Sequence, residues 1–176
     1  MADGSGQFEA EVMPHLDAAF TLARWLMKNA ADAEDVVQEA MLRALTYFPG
    51  FKGDNARGWL LQIVRNAAYA SMKLNRGPIA LGEDDVMEQV ADPGDDPEVT
   101  LIREQDQKLV QQALAGLPVE LREALVLREL EELSYKDIAR ITETPIGTVM
   151  SRLWRARRLL AQSVRHSGGM AMGAAR

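Results

Sequence analysis

Apolar residues recur at helical spacing along most of the 176-residue chain, and the places where that rhythm stops divide it in two. The pattern holds over 8–28, 33–48 and 59–72, and predicts three helices there. "RGP" at 76–78 stops the third, since proline lacks an N–H and restricts the residue before it. The polar stretch 77–98, punctuated by proline and glycine, reads as a linker. Helical spacing resumes over 99–114, 119–131, 135–141 and 145–164, with breaks at "GLP" (116–118), "LS" (133–134) and "TETP" (142–145). The tail "HSGGMAMGAAR" (166–176) is small and glycine-rich and predicts a flexible end. The expectation is an all-α chain of two small helical domains, 8–76 and 99–165, joined by a flexible acidic linker over 77–98.

The last two predicted helices are close together and well signposted. Ser134 and Asp137 have capping-box spacing, and Thr144 before Pro145 reads as an N-cap followed by an N1 proline. Only a few residues separate the helices, so the layout is a helix-turn-helix. In "TPIGTVMSRLWRARRLL" (144–160), Ile146, Val149, Leu153, Ala156 and Leu160 gather on one side. Thr148, Ser151, Arg155 and Arg158 lie opposite, with Arg152 and Trp154 on the flanks. Hydroxyls and guanidinium groups on the outer face of such a helix suit a DNA major groove, where arginine can pair with guanine through two hydrogen bonds.

So basic a helix sits oddly in a chain with a net charge of −6 until the charge is located. Residues 83–98, "EDDVMEQVADPGDDPE", carry eight acids and no base, which leaves the remainder near +2. The acidity belongs mostly to the linker and does not exclude nucleic-acid binding elsewhere. The absence of cysteine excludes disulfides and thiolate–metal sites, and His15 and His166 have no evident ligand partners, so no metal or other cofactor is expected. No P-loop or nucleophile–base arrangement is present, and no catalytic residue is expected. No apolar run approaches the ~18–20 residues that span a bilayer, and the first residues lack a signal core, so a cytoplasmic protein is expected.

In the N-terminal half, "AEDVVQEAMLRALTYF" (33–48) places Val37, Met41, Ala44, Leu45 and Phe48 on a core side. Asp35, Glu39 and Thr46 point away, with Gln38 and Leu42 beside them and a Glu39–Arg43 pair at i,i+4. Next, "FPGFKGDNARGWLLQIVRNAAYASMK" (48–73) runs from a glycine-rich polar loop into an amphipathic helix. Such a loop offers donors and π-faces suited to unstacked bases, although Trp59 at a helix start also suits a core anchor.

Taken in order, "DAEDVVQEAMLRAL", "FKGDNARGWLLQIVRNAA" and "LPVELREALVLRELEELSYKDIARITETPIGTVMSRLWRARRLL" resemble the extracytoplasmic-function (ECF) sigma factors of the bacterial sigma-70 family. The resemblance covers roughly residues 8–164. It implies an alternative sigma factor that binds core RNA polymerase and directs promoter-specific initiation, without being an enzyme. Asp35, Gln38, Glu39 and Arg43 would meet the β′ clamp helices. Lys52, Asn55, Arg57, Trp59, Arg65, Asn66 and Tyr69 would capture the minus-10 element, with Asn66 at a flipped-base pocket. Thr148, Ser151, Arg152, Trp154, Arg155 and Arg158 would read the minus-35 element, in a domain that also meets the β flap. Met150 stands where many relatives carry a basic residue. The resemblance further suggests an anti-sigma factor as partner and a monomer when free. Two other readings stay open: a stand-alone helix-turn-helix regulator, and a sigma-like decoy that binds an anti-sigma factor.

Overall fold

The computed structural model describes residues 4–75 and 107–173, so the expected linker and its flexibility lie outside the described residues. In the N-terminal body, α1 (Gly4–Glu11) and α2 (Leu16–Leu26) are separated by a 3-10 turn at Met13–His15. A single helix over 8–28 does not form, because Pro14 cannot supply the N–H that would continue the ladder. α3 spans Ala30–Tyr47 and starts at Asn29, whose side-chain oxygen accepts the Asp32 N–H at 2.8 Å. A 3-10 turn at Phe48–Gly50 leads to α4 (Ala56–Leu74), where Asn55 accepts the Gly58 N–H at 3.0 Å.

α2, α3 and α4 pack on one another around Leu22, Val36, Leu60, Leu61 and Val64, all essentially without solvent contact. Alanines 19, 23, 33, 40, 44, 67 and 68 fill further buried positions, which lets the helix axes approach closely. Leu45 was expected in this core and is instead half exposed. The buried stripe of α3 runs through Val36, Val37, Ala40 and Ala44, which turns Leu45 outward beside Leu42.

In the C-terminal body, α5 covers 107–115 and α6 covers Val119–Leu125, continuing through a wider π turn at Val126–Leu130. There the Glu131 N–H reaches back five residues to the Val126 carbonyl at 3.2 Å. α7 (Tyr135–Thr142) begins as its sequence predicts, with the Ser134 hydroxyl accepting the Asp137 N–H at 3.1 Å. It ends at Glu143, which takes the left-handed conformation (φ 53°) usually left to glycine.

α8 (Ile146–Gly173) then packs across α6 and α7 through Val149, Leu153 and Ala156. Its start differs from expectation by one residue. The Pro145 carbonyl accepts the Thr148 and Val149 N–H groups, so Pro145 is the cap and not the first helical residue. Thr142 spends its hydroxyl proton on the Ile138 carbonyl at 2.8 Å, so the Thr144 hydroxyl donates to Thr142 at 2.9 Å and ties the turn. Ile146, placed on the packing face by periodicity, is half exposed at the end of the helix. α8 also runs on well past residue 164, because extending a formed helix is easier than nucleating one.

The two bodies touch. α4 packs against α7 and α2 against α6, and the buried apolar residues of both form one continuous cluster.

Candidate nucleic-acid interface

The outer face of α8 is built as its sequence predicts. With Val149, Leu153 and Ala156 buried against α6 and α7, the residues between them must face outward. Ser151, Trp154, Arg155 and Arg158 are exposed, and Thr148 and Arg152 are partly so. Arg155 has no ion pair among the described residues, whereas Arg158 lies over the Trp154 ring with 5.4 Å between guanidinium carbon and centroid. Ser151 donates its hydroxyl to the Thr148 carbonyl at 3.1 Å, leaving its oxygen as an acceptor. Arg157, by contrast, is tied to Glu129 at 2.8 Å. Met150 is 54% exposed and joins Tyr135, Leu153 and Trp154 in lining an open apolar cleft beside Arg157 and Arg158.

On α3, Asp35, Gln38, Glu39 and Arg43 are all exposed, next to the outward Leu42 and Leu45. Glu39 and Arg43 form the expected pair at 3.0 Å. A charged helix face with leucines inside it has the make-up of a protein-docking surface.

The third expected group, on α4 and the loop before it, divides. Lys52 and Asn66 are exposed, with no side-chain hydrogen bond among the described residues. Asn55 is spent on capping α4. Trp59 is half-buried, 4.8 Å from Phe51 and 6.3 Å from Phe48 between ring centroids, and so anchors an aromatic cluster. Arg57, Arg65 and Tyr69 are turned toward the other body. Arg57 donates to the Glu131 carbonyl at 2.6 Å and its carboxylate at 2.7 Å. Arg65 Nε and the Tyr69 hydroxyl each donate to one oxygen of Glu123, both at 2.7 Å. Gln62, on the same side of α4, donates to Glu143 at 3.1 Å.

Glu123 is wholly buried, and burial pushes its carboxyl above the usual range. Burial and the facing carboxylate push the Tyr69 hydroxyl up as well, so it stays protonated and donating. Burial alone would lower the Arg65 pKa, but Glu123 outweighs it and the net direction is up. Sequence reasoning missed Glu123, Glu131 and Glu143 as the partners of these donors. A signal existed: residues 119–127 carry Val119, Leu121, Ala124, Leu125, Val126 and Leu127, apolar on every side. A helix buried all round forces any acid within it to find a partner.

With this geometry in hand, comparison with known sequences is decisive. Residues 12–76 match the Sigma-70 region 2 family and residues 107–160 match the Sigma-70, region 4 family. The ECF RNA polymerase sigma-E factor of Haemophilus influenzae is 37% identical over 152 residues, covering 81% of this chain and 79% of that protein. The chain belongs to the ECF sigma factors of the sigma-70 family.

The RNA polymerase sigma-H factor of Pseudomonas aeruginosa is 34% identical over 169 residues, 89% of this chain and 86% of its own. Among solved structures, the sigma factor RpoE of Bartonella quintana, in complex with the anti-sigma factor NepR, is 29% identical with a TM-score of 0.77. That alignment covers 90% of this chain and 97% of the Bartonella one. CnrH in complex with the cytosolic domain of CnrY shares the fold at a TM-score of 0.63 and 22% identity. As an ECF sigma factor, the chain is an alternative sigma factor directing transcription initiation. The region 2 body is foreign to a stand-alone helix-turn-helix regulator.

Proposed function

We propose that this ECF sigma factor docks on core RNA polymerase through α3 and reads its promoter with two separate helices. Asp35, Gln38, Glu39 and Arg43 meet the β′ clamp helices. Lys52, Asn66 and the α4 residues Arg57, Arg65 and Tyr69 take the unpaired bases and backbone of the minus-10 element. Thr148, Ser151, Arg152, Trp154, Arg155 and Arg158 take the duplex minus-35 element, while the region 4 body meets the β flap. The protein contributes no catalysis of its own. Binding unstacked bases offsets the unpairing of the duplex, and polymerase performs the chemistry. Its place of action is the cytoplasm, with polymerase.

The observation that carries this reading is the outer face of α8. Its exposed arginines and hydroxyls stand opposite a buried apolar face, on the second helix of a capped helix-turn-helix. A decoy has no need of that face. The resemblance to the Bartonella sigma factor over nearly its whole length supports an anti-sigma factor as a further partner.

The test is run-off transcription with purified core polymerase and a pool of genomic fragments. Defined transcripts appear only when both proteins are present; a chain that binds duplex tightly but starts no transcript sinks the reading. Within that assay, Arg155→Ala is expected to weaken promoter binding by about 1–3 kcal/mol while core binding is unchanged. Loss of both together points to unfolding.

A further inference from the structure

We propose that Met150 and Trp154 form an apolar seat on α8 for the 5-methyl group of a thymine in the minus-35 element, so that part of promoter choice is read without a hydrogen bond. The inference rests on the reading of α8 given above and adds Met150 to its residues.

The first argument is a stripe that the core does not explain. Ile146, Met150 and Trp154 stand one turn apart along α8 and are 47%, 54% and 63% exposed. α8 meets the rest of its body through Val149, Leu153 and Ala156, so these three large apolar side chains are left over. The stripe runs along the edge of the polar face: Ser151 follows Met150, and Arg155 follows Trp154. Contiguous apolar surface on a face built to meet a ligand belongs to that contact.

The second is the cleft beside it. Met150, Leu153 and Trp154 of α8 and Tyr135 of α7 line an open apolar hollow, with Arg157 and Arg158 also on its walls. Glu129 holds Arg157 there at 2.8 Å, and Arg158 lies over the Trp154 ring. No acid occurs on α8 from Ile146 to Arg165, so the charge of this face favours a polyanion over an acid-poor protein surface. An apolar hollow beside guanidinium groups suits a nucleotide whose base edge turns inward and whose phosphate stays at the cations. In the major groove thymine alone of the four bases presents a methyl group.

The third is Gly147, between Ile146 and Thr148 in the first turn. A Cβ there would meet nothing within 4 Å, so no contact among the described residues calls for glycine, which weakens a helix relative to alanine. Bare backbone at this point lets the start of α8 come close to base edges, where a short-range contact such as methyl on thioether becomes possible.

The test uses holoenzyme, core polymerase with the full chain, on a promoter found by the run-off assay. Each thymine of its minus-35 element is replaced in turn by uracil, which keeps every hydrogen-bonding edge and loses only the methyl. At least one replacement is expected to weaken wild-type binding about fourfold, the worth of one buried methyl group. Uracil in the spacer is expected to change nothing. Met150→Ala holoenzyme is expected to bind the thymine duplex about fourfold more weakly than wild type and to lose the preference for thymine over uracil. Met150→Leu, apolar and of similar size, is expected to keep it. Because Met150 is half exposed, both variants are expected to match wild type in urea midpoint and core affinity. A wild type indifferent to every uracil, or a Met150→Ala variant that keeps the full preference, overturns the seat. Met150→Ala that loses core affinity instead assigns the stripe to a protein contact and overturns it as well. Failure of the underlying reading shows separately: Arg155→Ala holoenzyme that binds the promoter as well as wild type removes α8 from minus-35 recognition, whatever uracil does.

Discussion

Glu123 holds two donors of the neighbouring helix while excluded from water, and its titration reports whether that contact exists. Burial raises its pKa, and Arg65, Tyr69 and the nearby Arg152 only partly offset the effect. Between the ordinary and the raised pKa, the packed form therefore binds a proton that a solvated Glu123 would release. Its contribution to packing grows as pH falls through the raised pKa, and levels off below the ordinary glutamate value of about 4.3. In carboxyl NMR of the free wild-type chain, Glu123 is expected to titrate above that value. Titration at or below it would mean that the pairing with Arg65 and Tyr69 outweighs burial. Met150 gains a sharper description at the same scale: it is an exposed apolar side chain beside Trp154.

Among the elements, α4 depends on a cap that its sequence hides. Asn55 looks like one more polar residue of a DNA-binding loop, yet its side chain closes the first turn of the helix. A Cβ on Gly58 would lie 2.7 Å from Asn55 Nδ2, so glycine is needed there for close approach. Asn55→Ala is expected to destabilise the protein by about 0.5–2 kcal/mol in urea unfolding. Gly58→Ala should not yield the gain of up to about 1 kcal/mol that alanine brings inside a helix, because it displaces the cap. In the Asn55→Ala background the same change should become stabilising. Additive effects would show that the two residues do not share one cap. The start of α8 carries a similar lesson: Thr144 has the right composition for an N-cap, but its hydroxyl is drawn to Thr142 across the turn and Pro145 takes the cap position.

At the scale of the whole molecule, the region 2 and region 4 bodies pack on each other in this structure, α4 against α7 and α2 against α6. Much of the architecture was already legible along the chain. Helical periodicity, the Ser134 cap and the separation of Val149, Leu153 and Ala156 from Ser151, Arg155 and Arg158 are local properties, set by neighbours within a few residues. The exposed acids of α3 follow from the same rule. Partners more than 50 residues apart do not. That Arg65 and Tyr69 end on Glu123, and Arg57 on Glu131, depends on how one body is laid against the other, and no period within either segment encodes it. Sequence determined the helices, their polar faces and the family; only the tertiary structure decided that one of those faces is covered, because a buried acid must find its donors wherever the fold brings them.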